Sequence, residues 1–212
     1  MYKPRFARHL SIALSALLLG ALAGCGVDGA IVAENASRSA DGLHFLRPAV
    51  DAPALSNRVV QFYAKRGETR EAYIYYQPRP GRTDSTEFVR FRVPASSLER
   101  RPDGTLMVTG DSILITIRVL DPARLILDFQ PSGLRFAASS PADLKIKFVE
   151  ANDDIDGDGD VDADDSARER ELSIWKQEAP GLPWYRMASV IDFSLEEVEA
   201  DLFGFTGYAI AY

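Results

Sequence analysis

Apolar and polar residues alternate with a period of two along most of the chain from about residue 57 onward. The alternating runs lie at residues 59–62, 71–77, 89–93, 113–119, 125–129, 144–148, 198–202 and 208–212. Successive side chains of a β-strand point to opposite faces, so such runs predict strands with one buried and one solvated face. Turns rich in Pro, Gly and Asp separate the runs. The pattern therefore predicts an all-β fold, an antiparallel β-sandwich, instead of a parallel sheet with helical crossovers.

Two segments lack this alternation. Residues 165–172 have the only pattern able to form a helix, and we expect one short helix there, between predicted strands at 144–150 and 171–178. Residues 25–56 are mostly small, polar or Pro residues without periodicity and predict a tether, although His44-Phe45-Leu46 is able to dock as an early strand. The sandwich domain is expected at 57–212, and its final run predicts that the end of the chain pairs into a sheet.

Residues 1–24 have the pattern of a secretory signal peptide. Lys3, Arg5 and Arg8 precede a stretch of apolar and small residues at 11–24. Fourteen helical residues span about 21 Å, less than the roughly 30 Å hydrocarbon core of a bilayer. The segment predicts export followed by cleavage, not a transmembrane helix.

The end of this segment, Leu22-Ala23-Gly24-Cys25, resembles the bacterial lipobox. The resemblance implies that Cys25 receives a diacylglycerol and becomes the first residue of a mature lipoprotein, usually with a third acyl chain. The alternative is ordinary cleavage after Ala23, with an incidental cysteine. Cys25 is the only cysteine of the chain, which favours lipidation. Two or more acyl chains give stable anchoring, at about 0.8 kcal/mol per buried CH₂ group.

Gly26 follows the cysteine. In a bacterium with two membranes, Asp is the usual retention signal for the inner membrane at this position. We therefore expect a lipid-anchored protein of the cell envelope, at the outer membrane in preference to the outer face of the cytoplasmic membrane.

Charge and composition limit the classes of partner that the chain is expected to bind. The chain is 46% hydrophobic, enough for one sizeable core, and its formal charge is −7. Without residues 1–24, which hold three basic residues and no acidic one, 21 basic residues remain against 31 acidic ones, a charge of −10. Such a chain does not attract phosphate backbones or anionic headgroups electrostatically, so nucleic acid is not expected as a partner.

An acidic segment, which we call the acidic loop, spans residues 154–165 and reads DIDGDGDVDADD. It has the spacing of an EF-hand calcium loop, with aspartates at positions 1, 3, 5, 7, 9 and 12 and Gly159 at position 6, where the chain turns sharply. Val161, at position 8, is expected to pack beneath the loop. The predicted calcium ligands are Asp154, Asp156, Asp158, Asp160 (through its backbone carbonyl), Asp162 and Asp165.

Calcium suits this segment because it is a hard cation that takes six to eight oxygen ligands. Asp165 stands where an EF-hand usually has Glu, and in this the loop resembles the dockerin-type variant. A dockerin has two such loops, so a single loop, inserted at residues 151–170, does not predict cohesin binding. We expect weak affinity, about 10⁻⁴–10⁻³ M, as in extracellular modules. The alternative is a solvated acidic segment that binds no ion.

Part of the chain resembles the ZU-type β-sandwich of ankyrins and netrin receptors. The residues that carry the resemblance are 93–98 (VPASSL), 129–136 (FQPSGLRF), 141–146 (PADLKI) and 203–212 (FGFTGYAIAY). The chain departs from that family at Ser96, where glycine is usual, at Gly204, where His is common, and by the inserted acidic loop. The resemblance implies a non-catalytic binding or scaffold module, and the animal partners of the family are not carried over.

The residue types argue against most enzyme classes. After residue 24 the chain has one histidine, His44, and no cysteine except Cys25, so Ser-His-Asp and zinc sites lack their residues. We therefore predict a non-catalytic module with a structural or protein-binding role, whose partner is an unidentified envelope protein or glycan.

Two alternatives stay open. A carbohydrate-binding module would use a platform of exposed aromatic side chains, with Trp184 expected to be the most exposed. The candidates are Trp175, Trp184, Tyr185, Tyr73, Tyr75 and Tyr76. An acid-pair glycoside hydrolase would need two carboxyls about 5–10 Å apart in a cleft. Adjacent Glu196 and Glu197 do not offer such a pair, because neighbours on a strand point to opposite faces.

Overall fold

The structure is a computed structural model that describes residues 29–32 and 36–212 of the chain. The predicted signal peptide and Cys25 lie outside these residues. The described residues form the following elements: β1 Gly29–Val32, β2 Ser37–Arg38, a 3₁₀ turn Ala40–Gly42, β3 Val59–Lys65, β4 Arg70–Tyr75, β5 Glu87–Val93, β6 Leu98–Arg100, β7 Ser112–Asp121, β8 Ile126–Gln130, β9 Arg135–Phe136, β10 Ala142–Lys147, α1 Ala163–Glu169, β11 Ser173–Gln177, β12 Trp184–Arg186, β13 Ser189–Asp192, β14 Glu197–Leu202 and β15 Gly207–Ala211.

The strands form two large antiparallel sheets and one small one. The first sheet has six strands in the order β1-β13-β14-β10-β5-β4, and the second has seven in the order β2-β12-β11-β15-β8-β7-β3. Strands β6 and β9 form a separate pair. Within the described part of the chain, every named strand pair is antiparallel. The predicted all-β antiparallel sandwich with a single short helix is confirmed.

Aromatic side chains from both sheets meet in the core. Phe91 of the first sheet lies edge-on to Phe129 of the second, with ring centroids 5.2 Å apart, and Phe205 contacts both rings. Phe91 and Phe129 are completely buried. Such pairs add about 0.5–1.5 kcal/mol each to the hydrophobic gain from burial, so this cluster joins the two sheets.

Strand β10 shows how the period of two is used. Leu144 and Ile146 are fully buried, whereas Asp143, Lys145 and Lys147 lie on the outer face and keep partial access to water. The same alternation of burial holds in most of the other runs identified from the sequence, because one face of each strand packs against the opposite sheet. The final run, residues 208–212, differs, since all five residues are buried and Ala209 and Ala211 pack in a cluster with Leu43.

The described part of the predicted tether comprises residues 29–32 and 36–56, and residues 36–56 lie against the sandwich. Leu43 and Leu46 are buried, and the backbones of His44 and Tyr212 exchange two hydrogen bonds of 3.2 and 3.3 Å. Further upstream, β1 extends the first sheet and β2 extends the second. Apolar burial and backbone pairing therefore hold this segment to the domain.

Helix α1 begins two residues before the predicted helix and ends three residues earlier, because Asp162 caps it and the next strand already starts at Ser173. It has seven residues. In the described ranges, no helix is both long and apolar enough to cross a bilayer.

Candidate metal centre

In chain order, the acidic loop follows β10 of the first sheet and precedes β11 of the second. The root of the loop, residues 152–155, is held in place by contacts with segments that are distant in sequence. The Asn152 amide donates to the Arg47 carbonyl (2.8 Å), and the Tyr212 hydroxyl donates to the Ile155 carbonyl (3.2 Å). The loop and the residues just before it are therefore attached to the N-terminal segment and to Tyr212, the residue after β15.

Three predicted ligands converge. Asp154, Asp156 and Asp158 each place a carboxylate oxygen so that the three oxygens lie within 4.8 Å of one another. Asp154 also organises the turn, since its Oδ1 accepts from the Gly157 amide (2.8 Å) and its Oδ2 accepts from the Gly159 amide (3.2 Å). Three carboxylates in this arrangement are able to supply the first oxygen ligands of a hard cation.

Glycine is required at the turn positions of the loop. Gly159 has φ of +105° and Gly157 has φ of +79°, a region that residues with a Cβ rarely adopt. Gly159 thus has the backbone conformation that the sharp turn at position 6 predicts.

The negative charges of neighbouring aspartates repel one another around these predicted ligands. Desolvation, and then the neighbouring aspartate charges, raise the pKa of Asp156. The charges of Asp158 and Asp162 raise the pKa of Asp160. A cation bound among these groups would relieve this repulsion and favour their ionised forms.

Asp162 and Asp165 start helix α1. The Asp162 Oδ1 accepts from the Asp164 amide (2.7 Å), and the Asp165 Oδ2 accepts from the Asp162 amide (2.9 Å), which together form a capping box. Asp165 is buried, and its Oδ1 accepts from the amides of Ile155 (2.7 Å) and Asp156 (3.2 Å). The hydrogen bond from the Asp162 amide, and then those from the Asp156 and Ile155 amides, lower the pKa of Asp165. Asp165 thus ties the two ends of the loop together.

The described residues bring half of the predicted ligand set into one cluster. Asp160, Asp162 and Asp165 lie outside the group of three converging carboxylates. Asp160 was predicted to bind through its backbone carbonyl, a role that does not need its carboxylate in that group. The Asp162 carboxylate instead caps helix α1. Asp165 uses its oxygens on three amides, which leaves less capacity for bidentate binding than the predicted closing ligand requires.

The prediction that Val161 packs beneath the loop is wrong. Its side chain is 67% exposed. Ile155 takes the inward place, where it is partly buried against the main core. Ile155, not Val161, is therefore the apolar residue of the loop that packs against the sandwich.

The prediction that Trp184 is exposed is also wrong. Trp184 is 2% exposed and Trp175 is 1% exposed. Phe45 packs edge-on against Trp184, with ring centroids 5.3 Å apart, and the Trp175 indole donates to the Ala211 carbonyl (3.0 Å). The N-terminal segment therefore covers Trp184, and the two tryptophans belong to a small core cluster instead of a sugar-stacking platform.

A second group of carboxylates lies on the outer face of the first sheet. Lys145 contacts Glu197 (2.9 Å) and Glu199 (2.6 Å). Desolvation, and then a hydrogen bond shared with Glu199, raise the pKa of Asp143 to about 7. Glu199 and Asp201 also line a cleft of about 780 Å³. Sequence reasoning missed this group because alternation shows which residues face outward but not which strands are neighbours.

Comparisons of the chain with protein-family models, curated proteins and solved structures find no match.

Proposed function

We propose that this protein is a lipid-anchored, non-catalytic, calcium-binding β-sandwich module of the cell envelope with a structural or protein-binding role. The observation that carries the calcium part is the convergence of the Asp154, Asp156 and Asp158 carboxylate oxygens within 4.8 Å. Carboxylates this close repel one another unless a cation lies among them.

Calcium fits this site better than the other common divalent ions. All side chains in the cluster offer oxygen ligands, whereas zinc prefers nitrogen and sulfur ligands. Magnesium keeps several waters and uses only one or two carboxylates, whereas calcium accepts crowded carboxylates in flexible geometry. Asp154, Asp156 and Asp158 would supply side-chain oxygens, and Asp160 would add its carbonyl.

The position of the loop favours a structural role for such an ion. The loop is part of the connection between β10 of the first sheet and β11 of the second, and its root contacts the N-terminal segment. An ion held there would stiffen a connection between the two layers of the sandwich. Metal binding would then add to folding stability, because it occurs only in the folded loop.

The anchor is proposed from the sequence around Cys25. A Cys25→Ser variant should leave the membrane fraction, and the wild-type protein should show an acyl adduct in its intact mass. A Ser37→Ala variant, altered at an exposed serine twelve residues downstream, serves as the control and should fractionate like the wild type. Unchanged fractionation of Cys25→Ser would refute the anchor.

The binding role is tested by affinity capture from the native envelope, with and without calcium. Wild-type protein and the Asp154→Asn variant are compared, with Asp153→Asn as a matched charge control just outside the loop. A partner that is captured only in calcium, by the wild type and by Asp153→Asn but not by Asp154→Asn, supports a calcium-dependent protein-binding role. Equal capture by all three proteins would limit the loop to stabilising the fold.

An acid-pair hydrolase is the second candidate, favoured by the position of Glu199 and Asp201. These residues are two apart on β14, so both face the same side, about 7 Å apart along the strand, and both line the cleft. The pKa of Asp201 is raised by burial and that of Glu199 is lowered by its hydrogen bond with Asp143. Hydrolysis of a glycan that disappears in both Glu199→Gln and Asp201→Asn would replace the non-catalytic proposal.

A further inference from the structure

We propose that the end of the sandwich carrying the acidic loop lies directly on the bilayer that holds the Cys25 lipid, with Leu195 and Val149 facing the headgroups. This inference rests on the lipidation of Cys25, which is part of the proposed function. It assigns a lipid-facing surface to the domain, where the sequence predicted a long tether between lipid and domain.

The first described strand begins only four residues after Cys25. Strand β1 is paired along its whole length with β13, and Gly29 lies opposite Asp192. A fully extended chain spans at most about 3.6 Å per residue, so four residues span no more than about 14 Å. Whatever path the intervening residues take, the lipidated residue lies within that distance of Gly29.

The strand register places Gly29 at the same end of the first sheet as the acidic loop. Asp192 lies opposite Gly29 on one side and opposite Glu197 on the other. Glu197 in turn lies opposite Lys147, the last residue of β10. The chain leaves β10 at Lys147 and continues into the acidic loop, so the anchor and the root of the loop lie at one end.

Exposed aliphatic side chains are found at this end. Leu195, in the turn between β13 and β14, is 51% exposed, and Val149, just after β10, is 42% exposed. The Phe148 amide donates to the Glu196 carbonyl (2.7 Å), which holds the two segments side by side. Val161, on the loop itself, is 67% exposed. Apolar side chains of this kind gain free energy by entering the headgroup region of a bilayer.

The acyl chains supply the attraction to the membrane, because the acidic domain itself does not. Repulsion between the loop aspartates and anionic headgroups falls off within about 8 Å at physiological salt. Each bound calcium ion would offset two of the negative charges. The short reach from Gly29 therefore sets the orientation, and salt and calcium reduce the opposing force.

Site-specific fluorescence quenching tests this orientation. Cys25 is the only cysteine and its thiol is consumed by lipidation, so one introduced cysteine can be labelled selectively. Leu195→Cys and Phe203→Cys form a matched pair, because both positions are exposed and lie beyond opposite ends of the six-residue strand β14. That strand separates them by about 20 Å. Val149→Cys provides a second position at the loop end.

The lipidated, labelled proteins are reconstituted into vesicles of phosphatidylethanolamine and phosphatidylglycerol that carry nitroxide on the headgroups, in calcium and physiological salt. We expect the labels at 195 and 149 to be quenched several-fold more strongly than the label at 203. A variant with about twelve Gly and Ser residues inserted after Asp28 should lose this difference, since the longer linker frees the domain.

Equal quenching at the two ends, or stronger quenching at 203, would overturn the orientation. The intact mass of the same sample separates the two proposals. An acylated protein with equal quenching refutes the orientation alone. A protein without an acyl adduct refutes the proposed anchor and the orientation together.

Discussion

Calcium should raise the melting temperature of the protein, and the size of the rise follows from the geometry of the acidic loop. Three carboxylates converge, but Asp165 already accepts three amide hydrogen bonds and is shorter than Glu. A set with fewer free ligands places the dissociation constant at the weak end of the range for such loops, about 10⁻⁴–10⁻³ M.

Mass action converts this affinity into stability. At about 10 mM calcium, ten to a hundred times the dissociation constant, binding only to the folded state adds about 1.4–2.7 kcal/mol to the free energy of unfolding. For a domain of this size, each kcal/mol shifts the melting temperature by about 2–4 °C. The expected rise is therefore about 3–11 °C relative to a sample in excess chelator.

Circular dichroism melts of three proteins measure the effect and control for charge. Asp154→Asn keeps one oxygen that accepts from the Gly157 amide but removes a ligand charge, so the rise with calcium should disappear. Asp153→Asn removes the same charge from the exposed residue next to the loop and should keep the full rise. Magnesium at the same concentration should have little effect.

A wild-type melt that is the same in calcium and in chelator would refute calcium binding by the loop. Equal losses of the calcium response in Asp153→Asn and Asp154→Asn would also refute it, because the effect would then be general charge screening instead of ligation.

Three further predictions concern the fold and its titrating groups. The pKa of Asp143 is about 7 in the folded protein and about 4 in the unfolded chain, so the free energy of unfolding should fall as the pH rises from about 4 to about 7. The fall should be no more than about 2 kcal/mol, because water screens the half-exposed side chain. Asp143→Asn should flatten this pH dependence in urea titrations. Phe129→Ala should cost about 3–5 kcal/mol in the same assay, and a loss below 1 kcal/mol would contradict its place in the core. Asp165→Asn should lower the melting temperature even in chelator, because it weakens the capping box; an unchanged melt would exclude this structural role.

The strands were predictable because their physical cause is local. A period of two in side-chain polarity is needed wherever one face of a strand packs against another sheet, and Leu144, Ile146 and Phe148 show it directly in the sequence. The aspartates of the acidic loop were equally visible, because the EF-hand pattern places its ligands at a fixed spacing in the sequence. Each of these two signals arises from residues that are only a few positions apart along the chain.

The pairing of distant segments was not predictable from the same signals. Strands β1 and β2 have four and two residues, too few to show a period, yet they extend both sheets. The burial of Trp184 depends on Phe45, which lies far away in the sequence. Glu197 is 5% exposed because Lys145 of the neighbouring strand pairs with it, and neither residue alone indicates that contact.

Equilibrium dialysis against radioactive calcium, in excess magnesium and at physiological salt, tests the proposed metal centre most directly. The converging carboxylates predict about one calcium ion per chain at saturation, with a dissociation constant of about 10⁻⁴–10⁻³ M, and no such binding to Asp154→Asn. A wild-type protein that binds no more calcium than Asp154→Asn at several millimolar free ion would contradict a calcium-binding role for residues 154–165.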